Sequence, residues 1–163
     1  MSDTGPAWAH ASGVLHLQPL DGADEQTARA RTAIADRMSR YAWAFDERRP
    51  DLLADCFTAD ATWQANIRNE TIVGPFTGRD AVVEYMSGFW PRQHDQRRHM
   101  IMNPMVTNQS DDAATIHTYH LLVSSSTDAI VPVTCGFYEV RMARESDGIW
   151  RIASLIAGYD LPF

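Results

Sequence analysis

The segment VPVTCGFYEVRMARESDGIWRIASLIAGY, residues 131–159, reads as two long strands joined by a tight turn. Asp147-Gly148 is a hairpin signal, because the pair tolerates the positive backbone angles such turns need. The strands are expected over Val131 to Arg144 and Gly148 to Tyr159. Working outward, Ala113 to Ser124 and His99 to Val106 supply two more. Turns are expected at Gln109-Ser110-Asp111-Asp112 and from Ser124 to Asp128. The second half of the chain is therefore all strand by pattern.

The first half supplies helices to cover that sheet. Ile34, Met38, Tyr41 and Phe45 are spaced four, three and four, one apolar stripe on a helix from about Asp24 to Glu47. Asp24 is a plausible N-cap, and Arg48-Arg49-Pro50 ends the helix. A short helix follows from Asp51 to Cys56, then strands at about Ala61 to Ile67 and Thr71 to Phe76. Thr77-Gly78-Arg79-Asp80 matches a capping box and opens a third helix, to about Trp90, with Pro91 ending it. A long antiparallel sheet must bury one face, and these helices are what is available. The expected fold is α+β: a cone-shaped, curved antiparallel sheet wrapped around the long first helix, with a pocket at the wide end. Residues 1–23, with Gly5, Pro6, Gly13, Pro19 and Gly22, read as a tail or arm, and 24–163 as one domain.

Composition narrows the chemistry. The chain has 163 residues and a net charge of -7, and all 14 basic residues are arginine. Without lysine there is no Schiff base, no lysine-held pyridoxal cofactor and no Walker-type phosphate loop. An acidic chain without a basic run is a poor nucleic-acid binder. No apolar stretch approaches a membrane span, and Met1 to Leu20 does not resemble a signal peptide, so a cytoplasmic location is expected. Cys56 and Cys135 form no CxxC and read as free thiols. No dinucleotide fingerprint or close metal-ligand cluster is present, so neither a cofactor nor a metal is expected.

Four polar residues could carry chemistry. Asp46 lies five residues after Tyr41, beside the buried stripe in the last helical turn. There it faces the negative end of the helix dipole, which costs stability unless a partner or proton compensates. The alternative is a surface Asp paired with Arg48 or Arg49. His99 opens a strand on which Ile101 and Asn103 share its face. His117 and His120, three apart, must point to opposite faces, so at most one enters a cavity.

The chain from about Ala28 to Tyr159 resembles the SnoaL-like branch of the NTF2-like superfamily. The resembling stretches are RYAWAFDERRPDLLADCF (40–57), Asp60-Ala61-Thr62-Trp63, RHMIMNP (98–104) and DGIWRIAS (147–154). Within that superfamily the pattern is similar to scytalone dehydratase, bile-acid 7α-dehydratase and hexachlorocyclohexane dehydrochlorinase. The resemblance implies that Asp46 orients His99 as a general base. Tyr41 would be a hydrogen-bond donor, and His120 rather than His117 a second acid or orienting donor. Phe45 and Ala65 stand where scytalone dehydratase has two tyrosines, which argues against scytalone itself as substrate. Tyr41 stands where the dehydrochlorinase pattern has a lysine, which favours a carbonyl- or hydroxyl-bearing substrate over a halide. The implied activity is a cofactor-independent dehydratase-like lyase acting on a small, mostly apolar cyclic molecule. The alternatives are an isomerase or cyclase using the same pocket, or a non-catalytic role as the small subunit of a ring-hydroxylating dioxygenase or as a binding module. The outer sheet face around Tyr119, Leu121 and Val123 is apolar enough to imply a homo-oligomer, and the relatives favour a trimer.

Overall fold

The computed structural model describes Trp8 and residues 22–162. The long helix α1 spans Glu25–Asp46, and its N-cap Asp24 accepts a 2.8 Å hydrogen bond from the Thr27 N–H. The expected stripe is its buried face, since Ile34, Met38, Tyr41 and Phe45 are all in the core. Helix α2 spans Pro50–Asp55, strand β1 Phe57–Ile67 and strand β2 Thr71–Thr77. Helix α3 spans Arg79–Ser87, and a single 3-10 turn follows at Trp90–Arg92. The remaining strands are β3 Gln96–Thr107, β4 Ala113–Ser125, β5 Ile130–Arg144 and β6 Trp150–Tyr159.

The six strands form one sheet in the order β2-β1-β6-β5-β4-β3. Every pairing is antiparallel except β1 with β6, which run parallel. The sheet curves without closing, and α1 lies in its concavity. The core forms where the α1 stripe meets Ile116 of β4, Tyr138, Val140 and Met142 of β5, and Ile152 and Leu155 of β6. Arg37, itself buried, reaches from α1 to the Asp55 carboxylate at 3.0 Å, and Arg151 of β6 meets the same carboxylate at 3.1 Å. One acid thus ties both helices to the sheet.

Three local expectations are corrected. The capping box at residues 77–80 does not form: Gly78 is the N-cap, at φ 91, with no side-chain cap hydrogen bond. A positive φ there is accessible to glycine at little cost, so backbone geometry rather than a threonine hydroxyl starts α3. Pro91 does not end α3, which stops at Ser87, but sits inside the following 3-10 turn. On β3 the alternation breaks: Asn103 has φ 51, and the register with β4 shifts between Met102 and Met105. The bulge removes Asn103 from the face shared by His99 and Ile101.

Of the tail expected over residues 1–23, Trp8, Gly22 and Ala23 are described, and the rest lies outside the described residues. Trp8 lies against the domain, its ring centroid 5.2 Å from that of Phe137 and its indole N–H donating to Asp160 Oδ1 at 2.8 Å. Among the described residues no helix is long and apolar enough to cross a membrane.

Candidate functional site

The end of α1 is sewn to the start of β3. Gln96 Nε2 donates to the Asp46 carbonyl at 3.1 Å, satisfying one acceptor that the helix C-terminus leaves open. Arg48 Nη2 donates to the Gln93 carbonyl at 2.7 Å, and Arg98 Nη1 to Glu47 Oε1 at 2.9 Å. These contacts set Asp46 directly against His99. Asp46 Oδ1 stands 2.6 Å from His99 Nδ1, and Oδ2 accepts the His99 backbone N–H at 2.7 Å. The two side chains are only 5% and 10% exposed, so the surface reading of Asp46, paired with Arg48 or Arg49, does not hold.

Magnitudes favour this arrangement. A carboxylate at a helix C-terminus loses roughly 0.3–1 kcal/mol to the dipole. Two hydrogen bonds to a charged acceptor each return about 1.5–3 kcal/mol. The carboxylate is an acceptor only, so Nδ1 carries the proton, and in the neutral imidazole Nε2 keeps its lone pair. Phe45 packs edge-on against the imidazole, with centroids 5.0 Å apart, and holds the ring from the side.

His99 lines a cavity of ≈ 250 Å³ at the wide end of the cone. Its walls are largely aromatic and thioether: Phe45, Trp63, Tyr85, Met86 and Phe89, with Tyr41 and Tyr159 bringing hydroxyls. Phe76 and Tyr85 stack at 3.9 Å, with Trp63 5.1 Å from Tyr85, so this wall is a braced aromatic slab. A larger depression of ≈ 840 Å³ lies at the other end of α1, among Asp24, Glu25, Gln109 and Asp111. It contains none of the dyad and is a wide polar groove, so the smaller cavity is the candidate site.

Tyr41 is buried at the cavity wall. Tyr138 hydrogen-bonds to its hydroxyl, and the Trp63 indole N–H lies beside it without being aligned for a full hydrogen bond. Tyr138 also reaches Tyr159, so three buried hydroxyls form one group. Burial pushes the phenols of Tyr41 and Tyr159 well above the usual range. Both therefore remain neutral donors at physiological pH.

His120 takes a different place. It is buried on the inner face of the sheet, stacked on Tyr138 at 4.4 Å and edge-on to Tyr159 at 5.1 Å. It stands behind the tyrosines and does not line the cavity. Its Nε2 meets the Gly158 carbonyl at 3.4 Å, and its Nδ1 has no hydrogen-bond partner among the described residues. Burial, with His99 adding to it, lowers its pKa to about 4. A second-acid role needs a proton that this environment withholds. His117 lies on the opposite face, as alternation requires, beside Thr107 Oγ1 at 3.3 Å. Among the described residues no three His, Cys, Asp or Glu side chains gather as metal ligands.

The cavity also uses residues that sequence pattern did not single out. Gln93 and Arg97 precede the expected strand, Arg92 ends the 3-10 turn, and Val133 and Tyr159 come from the last two strands. Tyr159 was legible as the end of a strand. Nothing in the local pattern marked the 92–97 segment as a rim.

Comparison with solved structures places this geometry among known folds. A protein from Catenulispora acidiphila, solved in complex with S-DNPA, shares 25% identity and a TM-score of 0.71, over 82% of this chain and 95% of that one. Rv3472 of Mycobacterium tuberculosis, of unknown function, shares 22% identity and a TM-score of 0.72, over 85% of this chain and 76% of its own. A protein from Novosphingobium aromaticivorans, assigned as the beta subunit of an aromatic-ring-hydroxylating dioxygenase, shares 19% identity and a TM-score of 0.74, over 85% and 94%. Comparison with curated proteins gives no match. Residues 26–156, which carry α1 from its second residue, the dyad, the cavity walls apart from Tyr159, and all six strands up to Ile156, match the model of the SnoaL-like domain, and the chain belongs to that family.

Proposed function

We propose that this protein is a cofactor-independent lyase that eliminates water from a small, mostly apolar cyclic substrate. The observation that carries the reading is the two-point grip of Asp46 on His99, at 2.6 and 2.7 Å, at the wall of an aromatic cavity. This is the base–orienter arrangement of general acid–base catalysis. His99 Nε2 takes a proton from a carbon next to a carbonyl, and the C–H electron pair becomes the new double bond. The hydroxyl on the neighbouring carbon leaves with the proton that the imidazolium returns. Asp46 fixes the tautomer and stabilises the imidazolium between the two steps. Tyr41 donates a hydrogen bond to the carbonyl or to the departing hydroxyl, strengthened by the low dielectric of the cavity.

A second reading keeps the pocket and changes the reaction. An isomerase or cyclase would use the same base to move a proton or to form a carbon–carbon bond. Membership of the SnoaL-like family favours keeping this reading beside the first. Product mass separates them: one water lost for the lyase, no change for an isomerase. The fold likeness to a dioxygenase beta subunit supports a binding-only role less well, because such a role gives the Asp46–His99 pair nothing to do.

A homo-oligomer accompanies this reading, with a trimer favoured. Met100, Met102 and Tyr119 are exposed on the outer face of β3 and β4, an apolar surface suited to a second copy.

The experiment is a thermal-shift screen of small cyclic hydroxyketones, followed by mass analysis of the products formed from each hit. His99→Ala and Asp46→Asn are each expected to cut turnover by about 10²–10⁴ while circular dichroism stays native. Near-wild-type rates in both variants would remove the reading.

A further inference from the structure

The charge around the cavity mouth runs opposite to that of the chain. The protein carries -7 overall, yet among the described residues no carboxylate lines this cavity, while two arginines, Arg92 and Arg97, do. Three of the nearby acids are already engaged. Asp46 holds His99, and Glu47 holds Arg98. Asp95 pairs with Arg97 Nε at 2.6 Å, not in line for a hydrogen bond, and also accepts from the Ser124 hydroxyl. Arg48 is spent on the carbonyls of Gln93 and Asp95.

Arg92 is the exception. Among the described residues it has no ion pair. Its guanidinium lies over the Phe89 ring, 5.7 Å from the centroid, and Phe89 is itself part of the cavity wall. An arginine drawn over an aromatic wall by a cation–π contact can still offer its N–H donors to a ligand. Those donors suit a carboxylate, whose two oxygens match the guanidinium fork.

Resting on the reading of this cavity as the substrate site, we infer that the substrate is an aromatic or alicyclic carboxylate. Its ring lies against Trp63, Tyr85 and Phe89, and its carboxylate meets Arg92 at the mouth. The cavity, at ≈ 250 Å³, lies below the roughly 300–1,000 Å³ of drug-sized pockets, which limits the ring system to one or two rings. Arg97, partly neutralised by Asp95, supplies additional field rather than the main contact. The carboxylate at the mouth and His99 on the wall would act on different parts of one molecule. The ring carbon facing His99 reacts, and the anion only anchors.

The test compares 2-naphthoate with its neutral isostere 2-naphthamide by calorimetry at pH 7.5 and low salt, on the full chain. 2-Naphthoate should bind about tenfold tighter, as expected for a charge-assisted contact. Its affinity should fall in high salt, while that of the amide stays put. Arg92→Gln should remove the preference and leave amide binding within about twofold, since the ring contacts are untouched. Equal binding of the two probes by the wild type overturns the proposal but leaves the aromatic cavity as a ligand site. A preference that survives Arg92→Gln and disappears in His99→Gln also overturns it, because the anion would then be read by the dyad. If neither probe binds, both the proposal and the ligand-site reading fall.

Discussion

Two histidines sit on the inner face of neighbouring strands, and the fold treats them in opposite ways. His99 on β3 has a carboxylate on one nitrogen and a cavity in front of it. His120 on β4 has aromatic rings on two sides, a distant carbonyl and, among the described residues, no hydrogen-bonded acid. The difference lies in what the helix delivers. The last turn of α1 ends beside the first residues of β3, so Asp46 reaches His99. β4 lies one strand further in, where His120 stacks on Tyr138, and Tyr138 in turn meets the edge of Tyr41 from α1. An imidazole in a cone becomes a base when the helix end supplies an orienting acid. Without one, it becomes a neutral filler.

The most severe way to break this contrast is on the catalytic side. His99→Ala should lower turnover by about 10²–10⁴, whereas His120→Gln should cost less than about tenfold. Comparable losses in the two variants, measured on one substrate, would erase the distinction.

The next largest effect is on stability. Asp46→Ala removes two buried hydrogen bonds and leaves the His99 N–H groups unpaired, so unfolding in urea should show a loss of about 2–4 kcal/mol. Asp46→Asn should lose less, because the amide oxygen can still accept one of them.

The third effect is a pH dependence that belongs to His120. Its pKa is lowered from 6.5 to about 4 by burial. The unfolded chain therefore binds a proton that the folded chain refuses. Stability from this group is complete above pH 6.5 and is lost as the pH falls toward 4, by about 3 kcal/mol in all. In His120→Phe that part of the acid slope should be missing. An unchanged slope in the variant would show that His120 titrates normally.

The smallest expected change is in Tyr41→Phe. It removes one hydroxyl donor from the cavity and should lower kcat by about tenfold to a hundredfold, while leaving the fold intact. Tyr138 would then lose a partner, so a modest drop of about 1 kcal/mol should accompany it in thermal unfolding.

The backbone of this comparison was legible in the sequence. The four-three-four spacing of Ile34, Met38, Tyr41 and Phe45 is the buried face of α1. The hairpin at Asp147-Gly148 forms as expected, with Gly148 at φ 80 and Asp147 accepting from Ile149. Strand alternation correctly separates His117 from His120, since a side-chain period of two leaves no other outcome. The pairing of Asp46 with His99 was not legible from spacing, because the two lie 53 positions apart. It came from resemblance alone. The rank of His120 as a cavity residue failed to account for depth, because inner-face position does not say whether Tyr138 and Tyr159 stand in front. The rim at Arg92, Gln93 and Arg97 had no signal, since a 3-10 turn and a strand's first residues have no repeating pattern to read. The bulge at Asn103 was equally silent, because one left-handed residue breaks alternation without changing composition.

The most direct measurement is the nitrogen chemistry of His99 itself, read by long-range proton–nitrogen NMR on uniformly labelled protein at pH 7.5. His99 should carry its proton on Nδ1, with Nε2 as a bare lone pair, and Asp46→Asn should perturb the Nδ1 signal while leaving that of His120 in place. A His99 protonated on Nε2, or one whose signals ignore Asp46→Asn, would contradict the claim that Asp46 makes this histidine a base.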